Sequence, residues 1–190
     1  MFKRLSLSAA FLAAAAAPAF AHLDPTEHGS LMSGVSHPLS GADHVLAMVA
    51  VGLWASQIGG RALFAVPAAF VTTMAAGFLL AVSGFALPFV EPAVLASVIG
   101  LGLLVATAVR LPTAASAAIV GLFALFHGHA HGGELGAAGA VQFGLGFLVS
   151  TALLHVAGVG LGISLSRMGT IATRLLGAVT ALGGAALIFG

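Results

Sequence analysis

The chain has no cysteine and no tyrosine, and only 6% of its 190 residues are charged. Without cysteine there is no disulfide and no thiolate site. Any metal held here is held by nitrogen and oxygen donors, with methionine sulfur a minor addition. So little charge excludes an ordinary soluble domain, in which roughly a quarter of residues are charged because the surface faces water. Six basic and five acidic residues leave a net charge of +1 with neutral histidine, which gives nucleic acid no electrostatic purchase. No Gly-x-x-x-x-Gly-Lys-Ser/Thr loop is present to cradle a nucleotide's phosphates. What the chain does have is 60% hydrophobic residues, 26 glycines and eight histidines, which outnumber the acids. Its mean hydropathy is +1.16. Most of its surface must face lipid.

The first residues read as a processing signal. Lys3 and Arg4 form a short positive region, and Leu5 to Ala17 is a mostly apolar, alanine-rich run that Pro18 breaks. Ala19-Phe20-Ala21 presents the small-x-small pattern that a signal peptidase reads. Cleavage after Ala21 makes 1–21 a signal peptide and leaves 22–190 as one membrane domain beginning at His22. Its free α-amine and imidazole would form a candidate metal chelate.

The rest of the chain predicts an all-α, polytopic transmembrane bundle of about six helices, near 38–58, 62–87, 91–109, 112–131, 136–165 and 170–189. Each is close to or above the roughly 20 residues needed to cross a hydrocarbon core. Gly59-Gly60-Arg61, Leu87-Pro88, Arg110-Leu111-Pro112, the stretch around Gly132-Gly133, and Arg167-Met168-Gly169 mark the breaks. A cleaved export signal puts the mature N-terminus outside, which makes the first, third and fifth loops cytoplasmic. Arg61, Arg110, Arg167 and Arg174 lie at or beside those loops, as the positive-inside rule requires. Small residues such as Gly158, Gly160 and Gly162 let helices approach closely in lipid.

All histidines but His155, and all acids but Glu91, fall in three segments on the outer side. His22, Asp24, Glu27 and His28 lie in the N-terminal arm. His37, Asp43 and His44 open the first span, and His127, His129, His131 and Glu134 close the fourth. His127 and His131 are a helical turn apart, with Glu134 on the same face. Imidazoles so spaced are a common way for a helix to hold a metal, and imidazole with carboxylate suits Zn, Ni, Cu or Co. Plainer roles compete. Ser40-Gly41-Ala42-Asp43 fits a capping box and Pro38 a helix start. The His127 run also fits a solvated loop, and Glu91 fits a helix-start acid. His155 falls in mid-span, where it either bonds a carbonyl or Thr151 or marks a pathway. Gln142 winds to the opposite side from Thr151 and stays out of that path.

Two segments together resemble the HupE/UreJ family of nickel permeases. One family pattern is His, five residues, Asp-His, matched by His37, Asp43 and His44. The other is Phe-His-Gly-x-Ala/Val-His-Gly-x-Glu, matched by Phe126, His127, Gly128, Ala130, His131, Gly132 and Glu134. The resemblance implies uptake of Ni²⁺, or of Co²⁺ in some members, to supply hydrogenase, urease or cobalamin assembly. It also implies that His37, Asp43, His44, His127, His131 and Glu134 serve transport. His129 occupies the variable position, and with His22 and His155 it completes the candidates. The expectation is a secondary permease in a bacterial inner membrane, with a periplasmic mature N-terminus. It takes the ion as substrate, holds no resident cofactor, and has the bilayer as its surroundings; a homo-oligomer is compatible with the sequence. The rival functions are a membrane metal-binding or sensor module and a metal-dependent membrane hydrolase.

Overall fold

The computed structural model describes residues 25–135, 139–167 and 169–189, with side chains from Leu31 onward. The expected signal peptide, His22 and Asp24 lie outside the described residues. The described chain is helical, in the order α1 (Pro25–Ser40), α2 (Ala42–Ile58), α3 (Ala62–Val82), α4 (Val90–Thr107), α5 (Thr113–Gly133), α6 (Ala140–Ser166) and α7 (Thr170–Phe189). Helices α3 to α7 are each long and apolar enough to cross a membrane. The remaining span is broken: Leu31–Ser40 and Ala42–Ile58 meet at an angle of 86°. Apolar side chains such as Phe64, Leu79, Leu122, Leu153, Ile171 and Leu182 are exposed on the outer surface. In water such a surface would aggregate; in lipid it is the expected solvent face. The chain is a multi-pass membrane protein.

The breaks form where the sequence marks them. Gly59 and Gly60 take φ of 77° and 55° between α2 and α3, in the left-handed region that side chains avoid. Helix α3 stops at Val82 rather than 87, because Gly84 turns the chain at φ 83°. The first span departs most from expectation. Pro38 does not start a helix; it sits in the last turn of α1. Ser40 does not cap α2 either, since its hydroxyl donates back to the His37 carbonyl at 2.6 Å. The cap residue is Gly41, extended at φ −94° and ψ 118°, with no side-chain cap bond.

Close backbone approach holds the bundle together. A Cβ added at Gly34 of α1 would strike the Phe143 carbonyl of α6, and one at Gly146 the Leu31 carbonyl. Gly52 and Gly158 bring α2 against α6, Gly77 and Gly128 bring α3 against α5, and Gly102 and Gly177 bring α4 against α7. Gly162 meets Ser56, whereas Gly160 faces open space. In lipid such small-residue contacts supply the van der Waals packing that drives helix association. The result positions two ends. At one, Trp54 Nε1 donates to the Val109 carbonyl at 2.8 Å, and exposed Arg174 donates to Ala106 at 2.8 Å. At the other, α1, the start of α2 and the end of α5 converge.

Candidate functional site

The end of α5 carries the first part of the site. His127 and His131 are buried on one face, as their spacing requires, and Glu134 follows as the C-cap residue. The second part comes from the broken span. His37 and His44 lie on either side of the 86° bend at Gly41, and the ring of each meets that of His131. His37 Nε2 lies 2.9 Å from Glu134 Oε2, and His131 Nδ1 lies 3.7 Å from the same oxygen. One donor atom from each of His37, His131 and Glu134 falls within 4.8 Å of the others, a grouping able to hold a metal ion.

Behind this mouth the imidazoles continue inward. Ring centroids are 4.8 Å apart for His37 and His131, 4.2 Å for His131 and His44, and 4.8 Å for His44 and His127. The mouth is partly exposed and the three inner rings are buried. The Glu134 and His37 side chains are 58% and 32% exposed, those of His44 and His131 are 9% and 2%, and His127 is fully buried. Aromatic rings flank the series: Phe143 touches His37, Phe147 touches His131, and Phe70 touches His127.

Hydrogen bonds fix which nitrogen of two of these rings is bare. Asp43 Oδ1 accepts from the His44 backbone N–H at 2.8 Å and from His44 Nδ1 at 2.9 Å. A carboxylate accepts only, so Nδ1 carries the proton and the buried Nε2 keeps a lone pair that finds no protein partner. The Ser97 hydroxyl on α4 donates to the Val94 carbonyl at 2.6 Å and therefore accepts from His127 Nε2 at 2.7 Å. His127 Nδ1 is then the bare nitrogen, also without a protein partner. Both nitrogens of His131 are likewise buried without a hydrogen bond, Nδ1 having only the 3.7 Å approach of Glu134. A buried polar group left unpaired costs about 1–3 kcal/mol, so such a concentration marks a candidate ligand site.

The other candidates fall elsewhere. His129 points off the cluster: its Nε2 donates to the Phe85 carbonyl at 2.7 Å, which ties α5 to the loop after α3. Asp43 stands behind the His44 ring rather than among the grouped donors. Glu91 is exposed in the first turn of α4, and Gln142 is exposed on α6. His155 is buried in mid-span and bonds neither a carbonyl nor Thr151; both its nitrogens lack a protein partner. The reading of the sequence missed Ser97 and Phe70. Ser97 has a faint signal, a hydroxyl alone in the apolar run Val94 to Val105; Phe70 has none, since phenylalanine is ordinary in a span.

The family model described as HupE / UreJ protein matches residues 10–187. The chain is 48% identical over 182 residues to "Protein HupE" of Rhizobium leguminosarum bv. viciae, covering 94% of this chain and 95% of that one. No solved structure matches. The chain belongs to the HupE / UreJ family, and with it to the membrane proteins that transport metal rather than to the enzymes.

Proposed function

We propose that the protein takes up Ni²⁺, with Co²⁺ as an alternative cargo, across a bacterial inner membrane without nucleotide hydrolysis. The observation that carries this reading is the single converging series Glu134, His37, His131, His44, His127, which runs from exposed to buried with bare nitrogens along it. Imidazole suits divalent first-row metals, whereas all-oxygen sites suit Mg²⁺ and Ca²⁺. An ion at about 2 Å from each nitrogen can be shared between neighbouring rings at these separations, so it moves by exchanging one ligand at a time. Glu134 and His37 take the hydrated ion at the mouth. His131, His44 and His127 replace its water as it enters the apolar bundle.

Asp43 and Ser97 act through their histidines, orienting each ring and presenting one lone pair. A metal-bound histidine is commonly held in this way by a hydrogen bond to its other nitrogen. Several moderate sites in sequence also let the ion leave again, the balance on which conduction depends. The mouth faces the periplasm in this reading. The exposed arginines Arg61, Arg110, Arg167 and Arg174 then mark the cytoplasmic end, and the signal at 1–21 is cleaved.

The test is uptake of labelled Ni²⁺ into metal-starved cells expressing wild type, Asp43→Ala or His131→Ala at matched surface levels. Accumulation by wild type alone supports the reading. Wild-type cells that match empty-vector cells, with Ni²⁺ and then with Co²⁺, overturn it.

A further inference from the structure

The imidazole series stops at His127, yet the polar line through the bundle does not. On α6, Phe143, Phe147, Thr151 and His155 recur every four residues and are all buried, so they form one stripe on one helix face. Its first two members line the outer series, touching His37 and His131. The stripe then runs on, reaching His155 about 18 Å along the helix from Phe143, beyond the middle of a hydrocarbon core of about 30 Å. Opposite it on α3, Phe78, Met74 and Phe70 share a face in antiparallel register. Phe78 stacks on Phe143, the Thr151 hydroxyl lies 3.7 Å from Met74 Sδ, and the Phe70 ring lies 5.0 Å from that of His155.

His155 is 1% exposed, and neither ring nitrogen has a protein partner. A neutral imidazole kept only for packing would be expected to spend its N–H on a nearby carbonyl or hydroxyl. Thr151, one turn away, turns to the Met74 sulfur instead. Phe70 touches both His127, at 5.6 Å, and His155, so one apolar ring stands where the outer series would meet this second group.

We propose that His155, with the Thr151 hydroxyl and the Met74 thioether, is an inner station for the divalent ion, and that Phe70 separates it from the outer imidazoles. The inference rests on the permeation reading above and deepens it. One imidazole, one hydroxyl and one thioether make a weaker and softer donor set than the outer cluster. That set rejects Mg²⁺ and Ca²⁺ a second time and holds its ion loosely enough to pass it on. The apolar Phe70 ring offers the ion no ligand, so transfer between the groups requires that ring to move.

The test uses the full chain in lipid nanodiscs and proteoliposomes, with Co²⁺ as the probe because its visible spectrum reports imidazole coordination. Wild type is expected to bind Co²⁺ in a tight and a weaker class. His155→Leu should keep the tight class, which also shows that it folds, lose the weaker one, and cut flux at least about ten-fold. Thr151→Val and Met74→Leu should shift both readouts in the same direction. Wild-type flux in His155→Leu overturns the inner station alone. Should His155→Leu lose the tight class as well, unchanged flux in both Thr151→Val and Met74→Leu overturns it. Wild type that moves neither Co²⁺ nor Ni²⁺ overturns the permeation reading, and this inference with it.

Discussion

Asp43→Asn separates a residue that orients a ligand from one that binds metal directly. The change keeps the side chain's shape and removes its charge. In the structure Asp43 Oδ1 holds both the backbone and the ring Nδ1 of His44, and His44 in turn lies 4.2 and 4.8 Å from the rings of His131 and His127. Losing such a carboxylate partner commonly costs 10–100-fold in metal affinity or activity, about 1.4–2.7 kcal/mol at 1.36 kcal/mol per decade. A neutral hydrogen bond is roughly half as strong as a charge-assisted one. Asp43→Asn, which keeps an oxygen in place, should therefore fall near the ten-fold end, and Asp43→Ala near the hundred-fold end. The fold should survive both, because Gly41 and not a side chain caps α2, and a half-buried first-turn acid contributes at most about 2 kcal/mol. Equilibrium titration of purified protein with Ni²⁺ gives the affinity, and initial uptake rates give the transport consequence. Asp43→Ala protein that binds and moves Ni²⁺ like wild type would refute the orienting role. Asn and Ala variants equally and completely inactive would instead make Asp43 a direct ligand.

Three further outcomes follow from the geometry. Gly34→Leu should prise α1 from α6 at Phe143 and withdraw His37 from Glu134, lowering Ni²⁺ affinity and costing about 1–3 kcal/mol of stability by overpacking; titration together with thermal unfolding in detergent checks both. Lowering the outside pH should weaken Ni²⁺ binding and slow uptake, because the ligand atoms must be deprotonated to hold the metal; uptake that climbs as pH falls contradicts this sign. Trp54→Phe removes the indole bond to Val109 at the opposite end of the bundle. It should cost about 0.5–1.5 kcal/mol of stability and leave Ni²⁺ affinity at the mouth unchanged, read by the same pair of measurements.

The sequence carried most of the spans and the pairing of His127 with His131 well because both are written locally. A membrane helix announces itself by composition, and His127 with His131 needs only helical winding to share a face. Contacts made between helices were not legible. Helix α1 contains Pro38, Gly29, Gly34 and many polar residues, and its close crossing with α6 involves Gly146, more than a hundred residues away. His37 and His44 fall on either side of a bend at Gly41 that the sequence did not announce, and both meet His131 of α5. A Cβ at Gly41 would press on Asp43 Oδ1 and His44 Nδ1, so that glycine also makes room for the pair. Ser97 and Phe70 gain their meaning only from the histidines opposite them. His129 shows the converse: it stands within the motif by sequence, yet the helix turns it toward Phe85.

The central claim is that this chain alone moves a divalent transition metal through its histidine series. The most direct measurement is the initial rate of labelled Ni²⁺ entry into liposomes that contain only the purified protein, beside protein-free liposomes and liposomes with His131→Ala protein. Saturable entry with wild type, and entry near the protein-free level with His131→Ala, is the predicted result. Entry no faster with wild type than without protein would contradict the account.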